Sequence, residues 1–247
     1  DYQNLGNVKI LAVDKSILLD ELSDRLKRNL KARVYFINAH CFNITQQDPV
    51  YRQLVNEAEY VLNDGIGIEL GAKVFGIQLK ENLNGTDFTP EVLAVAGRLD
   101  KSVYLLGGKP GVAEKAAAAI HRDNPDLRVV GCSDGYFEAS EAVVSEINEL
   151  RPDVLLVGLG VPLQEKWIAE NFESLDTTLI MAVGAFLDFT SGSIKRAPQV
   201  FRTLRSEWLF RLLIEPKRMW KRYLVGNFVF FFHVFKLAIF PAMAKKA

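Results

Sequence analysis

Seven short runs rich in Val, Ile, Leu and Tyr punctuate the chain: VKILAV (8–13), VYFINA (34–39), YVLND (60–64), SVYLLGG (102–108), LRVVG (127–131), VLLVGLG (154–160) and TLIMAVGAF (178–186). Most are separated by ten or more residues of helical periodicity, as in SILLDELSDRLKRNL, PGVAEKAAAAIHRD and SEAVVSEINEL. Strands of period two that alternate with helices of period 3.6 imply βαβ units and a largely parallel sheet with helices on both faces. With 247 residues, 49% hydrophobic and 24% charged, the chain has ample apolar material for one such domain.

A single composition break lies near residue 195. Residues 195–247 hold 12 Lys and Arg against 2 Asp and Glu, which leaves 18 against 28 in residues 1–194, although the formal net charge of the whole is zero. The expectation is an acidic α/β body over 1–194 and a basic, aromatic, helical appendage over 195–247. Residues 211–235, RLLIEPKRMWKRYLVGNFVFFFHVF, put five cations and seven Phe, Trp or Tyr rings in 25 positions. A membrane-spanning helix needs about 20 predominantly apolar residues; here Gly226, Asn227, His233, Lys236 and Pro241 interrupt the run. Rings interleaved with cations fit better a helix lying in a bilayer interface. A helix docked on the body or on a partner subunit is the competing reading.

Cys41 and Cys132 show neither metal-ligand nor C-x-x-C spacing, so reduced thiols and a cytosolic compartment are expected. The first residues carry no signal-peptide pattern. His40, His121 and His233 are too scattered to form a metal site. The cations are confined to an apolar, aromatic tail rather than spread over a groove, which disfavours nucleic-acid binding.

In open parallel sheets ligands sit beyond the carboxyl ends of the strands, and the polar, glycine-rich segments fall there: Asn38 in NAH (38–40), Asp64 in NDGIG (63–67), Gly107 and Gly108 in GGKPG (107–111), and Gly158, Gly160 and Gln164 in GLGVPLQE (158–165). DGY (134–136), with Gly135 and Tyr136, and GAFLD (184–188), with Asp188, are weaker candidates. GGKPG opens a helix, with Pro110 near its first position, and a helix N-terminus suits a phosphate or diphosphate; a plain structural turn is the alternative. It matches neither the P-loop nor the G-x-G-x-x-G spacing. Gln164 offers a bidentate amide, while Glu165 and Trp167 read as cap and core. Asp64 is either a helix cap or a general base for an acceptor hydroxyl. No D-x-D pair is present to hold a diphosphate through a divalent cation, so helix N-termini and cations would have to do so.

Taken together and in this order, FINAHCF, LNDGIGIELGAKVFG, ENLNGTDFTP, YLLGGKPGVAEKAA, VGCSDGYF, LLVGLGVPLQEKWI, AVGAFLDFTSGSIKRAP and EWLFRLLIEPKRMWKRYLVGN resemble the WecG/TagA/CpsF family of bacterial glycosyltransferases over almost the whole chain. The resemblance implies a Rossmann-like fold with a membrane-associating appendage. It implies an inverting, metal-independent transferase, without cofactor, that moves a sugar from a UDP-sugar to a polyprenyl-diphosphate-linked saccharide in exopolysaccharide or cell-wall polymer synthesis. Such a protein would be peripheral on the inner face of the bacterial cytoplasmic membrane and would self-associate. Asp64 falls on the family's catalytic base. Asn38, Asn84, Asp87, Gly107, Gly108, Gly135, Tyr136, Gly158, Gly160, Gln164 and Asp188 fall on its substrate side. Arg196, Arg211, Arg218, Lys221 and Arg222 fall in its appendage, as contacts to acceptor or membrane. In helical numbering Arg211, Glu215, Arg218 and Arg222 would share one face if Pro216 is tolerated near a helix start. The chain departs from TagA-type relatives at Phe36, where they carry Thr, and at Asn82, where they carry Arg. These departures leave the donor open between UDP-glucose, a UDP-hexuronic acid and UDP-N-acetylmannosamine.

Two readings from other classes compete. LLGGKPG leading to Cys132 and Asp134 could serve an NAD(P)-dependent oxidoreductase, against which the glycine spacing argues. The tail alone could serve a non-catalytic binding protein for nucleotide or lipid-linked saccharide at a membrane surface, against which the convergence of Asn38, Asp64 and Gln164 on one rim argues.

Overall fold

The computed structural model describes residues 1–203 and 207–240, without the side chain of Arg218. Two short strands, β1 (Tyr2–Leu5) and β2 (Val8–Leu11), open the chain, followed by α1 (Lys15–Arg28), β3 (Ala32–Ile37), α2 (Ala39–Gln47), α3 (Pro49–Glu57) and β4 (Tyr60–Asn63). Then come α4 (Ile66–Val74), α5 (Gly85–Arg98), β5 (Ser102–Gly107), α6 (Val112–Asp123), β6 (Arg128–Ser133), α7 (Ser140–Leu150), β7 (Val154–Gly158), α8 (Leu163–Asn171), β8 (Leu179–Ala182) and α9 (Phe186–Thr190). The segment expected as an appendage contains α10 (Gln199–Thr203), α11 (Glu207–Ile214), α12 (Pro216–Trp220), a π-helical turn (Lys221–Val225) and α13 (Gly226–Ile239).

Six strands form the main sheet in the order β4-β3-β8-β7-β5-β6, with every pairing parallel. The expected strand VKILAV is not among them. The Gly6–Asn7 turn, with Gly6 at φ 61°, sends the chain back so that β2 pairs antiparallel with β1. Along each central strand the side chains alternate between two cores, as the pleat requires. Tyr35, Ile37, Tyr104, Leu106, Leu155, Val157, Ile180 and Ala182 meet residues of α2, α3, α4, α7, α8 and α13 on one face. Val34, Phe36, Val103, Leu105, Val154, Leu156, Leu179 and Met181 meet residues of α1, α5, α6 and α9 on the other. In α1 the buried residues are Leu18, Leu22 and Leu26, the i, i+4, i+8 stripe of an amphipathic helix.

The appendage contributes to the first of these cores. Phe230 and Val234 of α13 are fully buried and Leu237 nearly so, and the Phe230 ring stands edge-on to Phe42 of α2 at 5.2 Å. Burying three such side chains stabilises the docked helix by about 1.5–3 kcal/mol each. Gly71 of α4 makes the approach possible, because a Cβ there would lie 2.7 Å from the Phe230 ring. Lys221–Ile239, 19 residues, is long and apolar enough to cross a bilayer by length and composition, but this stripe of it is packed against the body.

The expected single face through Arg211, Glu215, Arg218 and Arg222 is broken at Pro216. Proline lacks an N–H and disfavours the helical region for the residue before it. Glu215 accordingly leaves the helix at φ −124°, ψ 58°, and α12 begins with the proline at its first position. The π-helical turn then shifts the register before α13, and Asn43 of α2 donates a 2.7 Å hydrogen bond to the Gly226 carbonyl where that turn ends. Cys41 and Cys132 are both free thiols.

Candidate active site

Because all six strands of the main sheet are parallel, their carboxyl ends share one rim. The chain leaves β3 toward the edge strand β4 but leaves β5 toward the opposite edge strand β6, and the diverging loops leave a crevice between them. A cleft of about 860 Å³ occupies it, large enough for a nucleotide-sized ligand. A second cleft of about 480 Å³ lies toward α4 and the appendage. Asn38, Asp64, Thr86, Phe189, Arg211 and Arg222 line both.

The floor of the larger cleft is backbone. Gly158 and Gly184, which end β7 and follow β8, line it; Gly107, expected on the substrate side, ends β5 without lining the cleft and packs against Gly158, so closely that a Cβ on Gly107 would lie 2.4 Å from the Gly158 carbonyl oxygen and one on Gly158 3.0 Å from that of Gly184. Gly108 donates to the Gly158 carbonyl at 3.2 Å and Gly135 to the Gly108 carbonyl at 2.9 Å. The N–H groups of these two predicted residues are therefore spent on holding loops together, and what the glycines give the cleft is room. Pro110 lies outside the helix it was expected to open, since Gly111, at φ 84°, is the N-cap of α6. Lys109 and Lys115 line the cleft at that helix end and face the same anion-favouring dipole. Both lie inside YLLGGKPGVAEKAA, where a cation beside a helix start is the signal that marks them. Gly160, Asp188 and Tyr136 also line the cleft, and the Tyr136 side chain, 68% exposed, stands at its mouth.

Gln164 reaches the cleft wall while only 2% exposed, and its amide is already engaged. Its Oε1 accepts from the Gly184 N–H at 3.0 Å, and its Nε2 donates to Glu165 Oε1 at 2.8 Å. Glu165 is no cap: it is 1% exposed, and burial pushes its carboxyl up to about 7 despite the hydrogen bond from Gln164. Trp167, as expected, is core.

Asp64 follows β4 and continues its ladder by donating its N–H to the Ile37 carbonyl at 2.8 Å. It does not cap α4; Gly65 does, at φ 89°, held by the Asn82 side chain, which accepts from its N–H at 2.9 Å. The capping reading of Asp64 is thereby removed. Asn38 is the cap of its own helix: its Oδ1 accepts from the N–H groups of His40 and Cys41, which turns its Nδ2 to within 3.5 Å of Asp64 Oδ2. Burial raises the Asp64 carboxyl to about 6, with Glu207 adding to the rise and Asn38, Arg222 and Arg211 opposing it. His40 is driven down to about 4 by burial and the Arg222 charge, so it is neutral at physiological pH.

Asn84 and Asp87 lie along the second cleft rather than the first. Asn84 caps α5 through the Asp87 N–H at 3.0 Å and donates to Asp87 Oδ2 at 2.9 Å. Burial opposes ionisation of Asp87, but the Asn84 hydrogen bond and the Arg196 guanidinium outweigh it and hold the carboxyl below its ordinary value. Arg196 bridges Asp87 and Glu207, the latter at 3.7 Å, which pins α11 to the start of α5. Arg196 is thus a tie between elements in this structure and lines neither cleft. Glu207, one of two acids in an otherwise basic tail, lies on the second cleft, and that minority charge is the signal in the sequence that marks it.

Arg211 lies 5.3 Å from the Phe189 ring centre, and the Nε atoms of Arg211 and Arg222 are buried without a hydrogen-bond partner among the described residues. Lys221 is exposed beside Trp220 and lines neither cleft, and the side chain of Arg218 lies outside the described residues. No group of three His, Cys, Asp or Glu side chains gathers as a metal-binding set among the described residues.

A buried carboxyl at the junction of two clefts, with guanidinium groups beside it, is an arrangement for proton abstraction next to a stabilised anion. Comparison with known proteins identifies the family. Residues 3–243 match the model of the glycosyl transferase WecG/TagA/CpsF family. A protein of Staphylococcus aureus (strain NCTC 8325 / PS 47), an N-acetylglucosaminyldiphosphoundecaprenol N-acetyl-beta-D-mannosaminyltransferase, is 31% identical over 89% of this chain and 89% of its own length. The protein of that name from Bacillus subtilis (strain 168) is 28% identical over 90% of this chain and 87% of its own length. The chain is a glycosyltransferase and belongs to the WecG/TagA/CpsF family.

Proposed function

We propose that the protein transfers a hexosyl group from a UDP-sugar in the glycine-floored cleft to a saccharide hydroxyl carried on a polyprenyl diphosphate that enters by the second cleft. The observation that carries this reading is the meeting of the two clefts at Asp64, Asn38, Arg211 and Arg222. The activity for which the relatives are named, on a diphosphoundecaprenol-linked acceptor, supports the acceptor class.

The chemistry is one displacement. Asp64 takes the proton of the acceptor hydroxyl as that oxygen forms its bond to the anomeric carbon. The bond from that carbon to the diphosphate oxygen breaks on the opposite face, the electron pair leaves with UDP, and the configuration inverts. Ionised Asp64 is the working form, and its environment keeps its pKa close to neutrality, where a general base is most effective. The N-terminus of α6 with Lys109 and Lys115, and the guanidinium groups of Arg211 and Arg222, supply positive charge to the donor or acceptor diphosphate. The Tyr136 ring at the cleft mouth is available to stack on a base. Phe36 makes an apolar patch of the donor cleft near Gly85, which favours a sugar without a polar substituent there.

The exposed apolar side of the appendage supports peripheral attachment to an anionic membrane surface, with residues 1–194 as the catalytic body. Each cation near such a surface contributes about 1 kcal/mol. The test is label transfer from UDP-glucose, UDP-N-acetylmannosamine or UDP-hexuronic acid into a lipid-extractable acceptor pool, by wild-type and Asp64→Asn protein. Label with one donor, lost in the variant, is the expected result. UDP binding without transfer from any donor would reduce the protein to a binding role.

A further inference from the structure

One buried ionisable group has no part in the displacement just described. Glu165 sits in the first turn of α8, almost wholly shielded, behind the wall of the donor cleft. Cys41, Tyr35 and Tyr51 lie near it: the Tyr35 hydroxyl donates to its backbone carbonyl at 3.4 Å, and burial raises the thiol and phenol pKa values around it, with the Glu165 charge adding to the rise. Its Oε1 receives the Gln164 amide, and its Oε2 has no hydrogen-bond partner among the described residues. A half-satisfied carboxyl in such surroundings destabilises the fold, and a Leu of similar size would remove that penalty. Its presence is therefore to be explained by what it does to Gln164.

We infer that Glu165 is a positioning residue for the donor site, which fixes the orientation of the Gln164 amide and, through it, the Gly184 peptide that forms the cleft floor. An amide can be turned over at little intrinsic cost, with oxygen and nitrogen exchanged. In its ionised form, which the Gln164 hydrogen bond favours against the effect of burial, Glu165 is acceptor-only, so it admits Nε2 on its side and directs Oε1 toward the Gly184 N–H, at 3.0 Å. The second Nε2 hydrogen is left over for the cleft. Gly184 sits at φ 54° and its carbonyl crowds Gly158, so a turned amide would present a donor to the Gly184 N–H and loosen the place where β7 and β8 meet the ligand. The consequence belongs to donor binding rather than to proton transfer, because Asp64 is held separately by Asn38 and the β4 ladder.

This inference rests on the glycine-floored cleft being the UDP-sugar site, and the experiment separates the two. Full-length wild-type, Glu165→Leu, Glu165→Gln and Glu165→Asp proteins are compared for UDP binding by calorimetry, for donor KM and kcat, and for Tm. Glu165→Leu is expected to weaken UDP-sugar binding and raise donor KM about tenfold, with kcat changed less than threefold and Tm unchanged or higher. Glu165→Gln, whose side-chain oxygen can still accept from Gln164 but which is no longer acceptor-only, is expected to recover donor KM in part. In a Gln164→Leu background Glu165→Leu is expected to add nothing to the donor KM. Should Glu165→Leu not fold, Asp and Gln decide: the shorter carboxyl of Asp does not reach Gln164, so donor KM rises more with Asp than with Gln. An unchanged donor KM in folded Glu165→Leu, or equal behaviour of Asp and Gln, would overturn the inference while leaving the donor site intact. Wild-type protein that binds no UDP would overturn both.

Discussion

Asn38 links two jobs in one side chain: its oxygen caps α2 and its nitrogen lies 3.5 Å from Asp64 Oδ2, so the start of a helix and the orientation of the candidate base are set together. Loss of the Asn38 hydrogen bond removes a contact that favours ionised Asp64, whereas Glu207 works in the other direction. The rate with wild-type protein should rise through about pH 6 as Asp64 ionises. In Asn38→Ala that limb should move to higher pH and in Glu207→Gln to lower pH. Measured kcat/KM profiles that shift the same way in both variants would contradict the assignment of the limb to Asp64.

Asp64→Asn should lower kcat by about 10²–10⁴ with UDP affinity nearly kept, the usual magnitude for a lost general base. It should also stabilise the protein, and the sign follows from linkage. The native carboxyl titrates at about 6, above its unfolded value of 3.8, so between these pH values the native state holds more protons than the unfolded one, and stability falls as pH rises. The variant escapes that loss. Its advantage should grow from pH 4 to pH 6 and then level off, at no more than about 3 kcal/mol given about 1.4 kcal/mol per pKa unit. Denaturant melts at pH 4, 5, 6 and 8 measure it, and a gap that does not widen with pH would contradict the raised pKa.

Arg222→Ala and Arg211→Ala should each reduce kcat by about 10²–10³, the cost of removing one group that stabilises developing negative charge. Lys at either position keeps the charge but not the planar fork, and should recover only part of the rate. Single-turnover rates on a fixed acceptor test this. Full activity in either Ala variant would place the arginine on structural duty alone.

Gly107→Ala tests the close approach of the strand ends next to the cleft. At φ 135° and with a Cβ 2.4 Å from the Gly158 carbonyl, no side chain fits without moving β5 from β7. Loss of UDP binding together with a fall in Tm is expected. Gly65→Ala, which meets nothing within 4 Å but sits at φ 89°, should suffer only conformational strain. Similar Tm values for the two variants would speak against the close approach of the strand ends.

The parallel sheet was legible because each central strand buries both faces and its alternation survives in the sequence as short Val, Ile and Leu runs. β1 was not, since YQNL exposes three of its four residues and carries no apolar pattern. The rim residues were legible as types but not as connections. The sequence shows that Gln164 has an amide, but that the amide is taken by Glu165 and Gly184 depends on contacts one and twenty positions away. The Asp87–Arg196–Glu207 bridge spans segments more than a hundred residues apart, beyond the reach of local pattern. Pro216 was visible, yet its break matters less than expected, because Arg211, Glu215 and Arg222 line the same cleft without sharing a helix.

The appendage carries two apolar stripes with opposite consequences. Phe230, Val234 and Leu237 recur at i, i+4 and i+7 and are buried, while Phe228, Phe232 and Phe235 recur at the same spacing two positions earlier, rotated by about 200°, and are exposed, Phe228 by 78%. An aromatic stripe facing away from the body gains nothing in water, and with Trp220, Leu224 and Lys221 nearby it suits an anionic interface. Changing Phe228, Phe232 and Phe235 together to Ser should abolish binding to vesicles containing acidic phospholipid and leave Tm and UDP binding intact. Phe230→Ala should instead cost about 3–5 kcal/mol of stability by leaving a cavity against Phe42. Gly71→Ala, which drives a methyl into the same ring, should cost about 1–3 kcal/mol by overpacking. Both core variants should release α13 and expose the Lys221–Ile239 helix to protease. Vesicle binding retained by the triple Ser variant would confine α13 to the docking role, and unchanged Tm in Phe230→Ala would show that the helix is not held by its buried stripe.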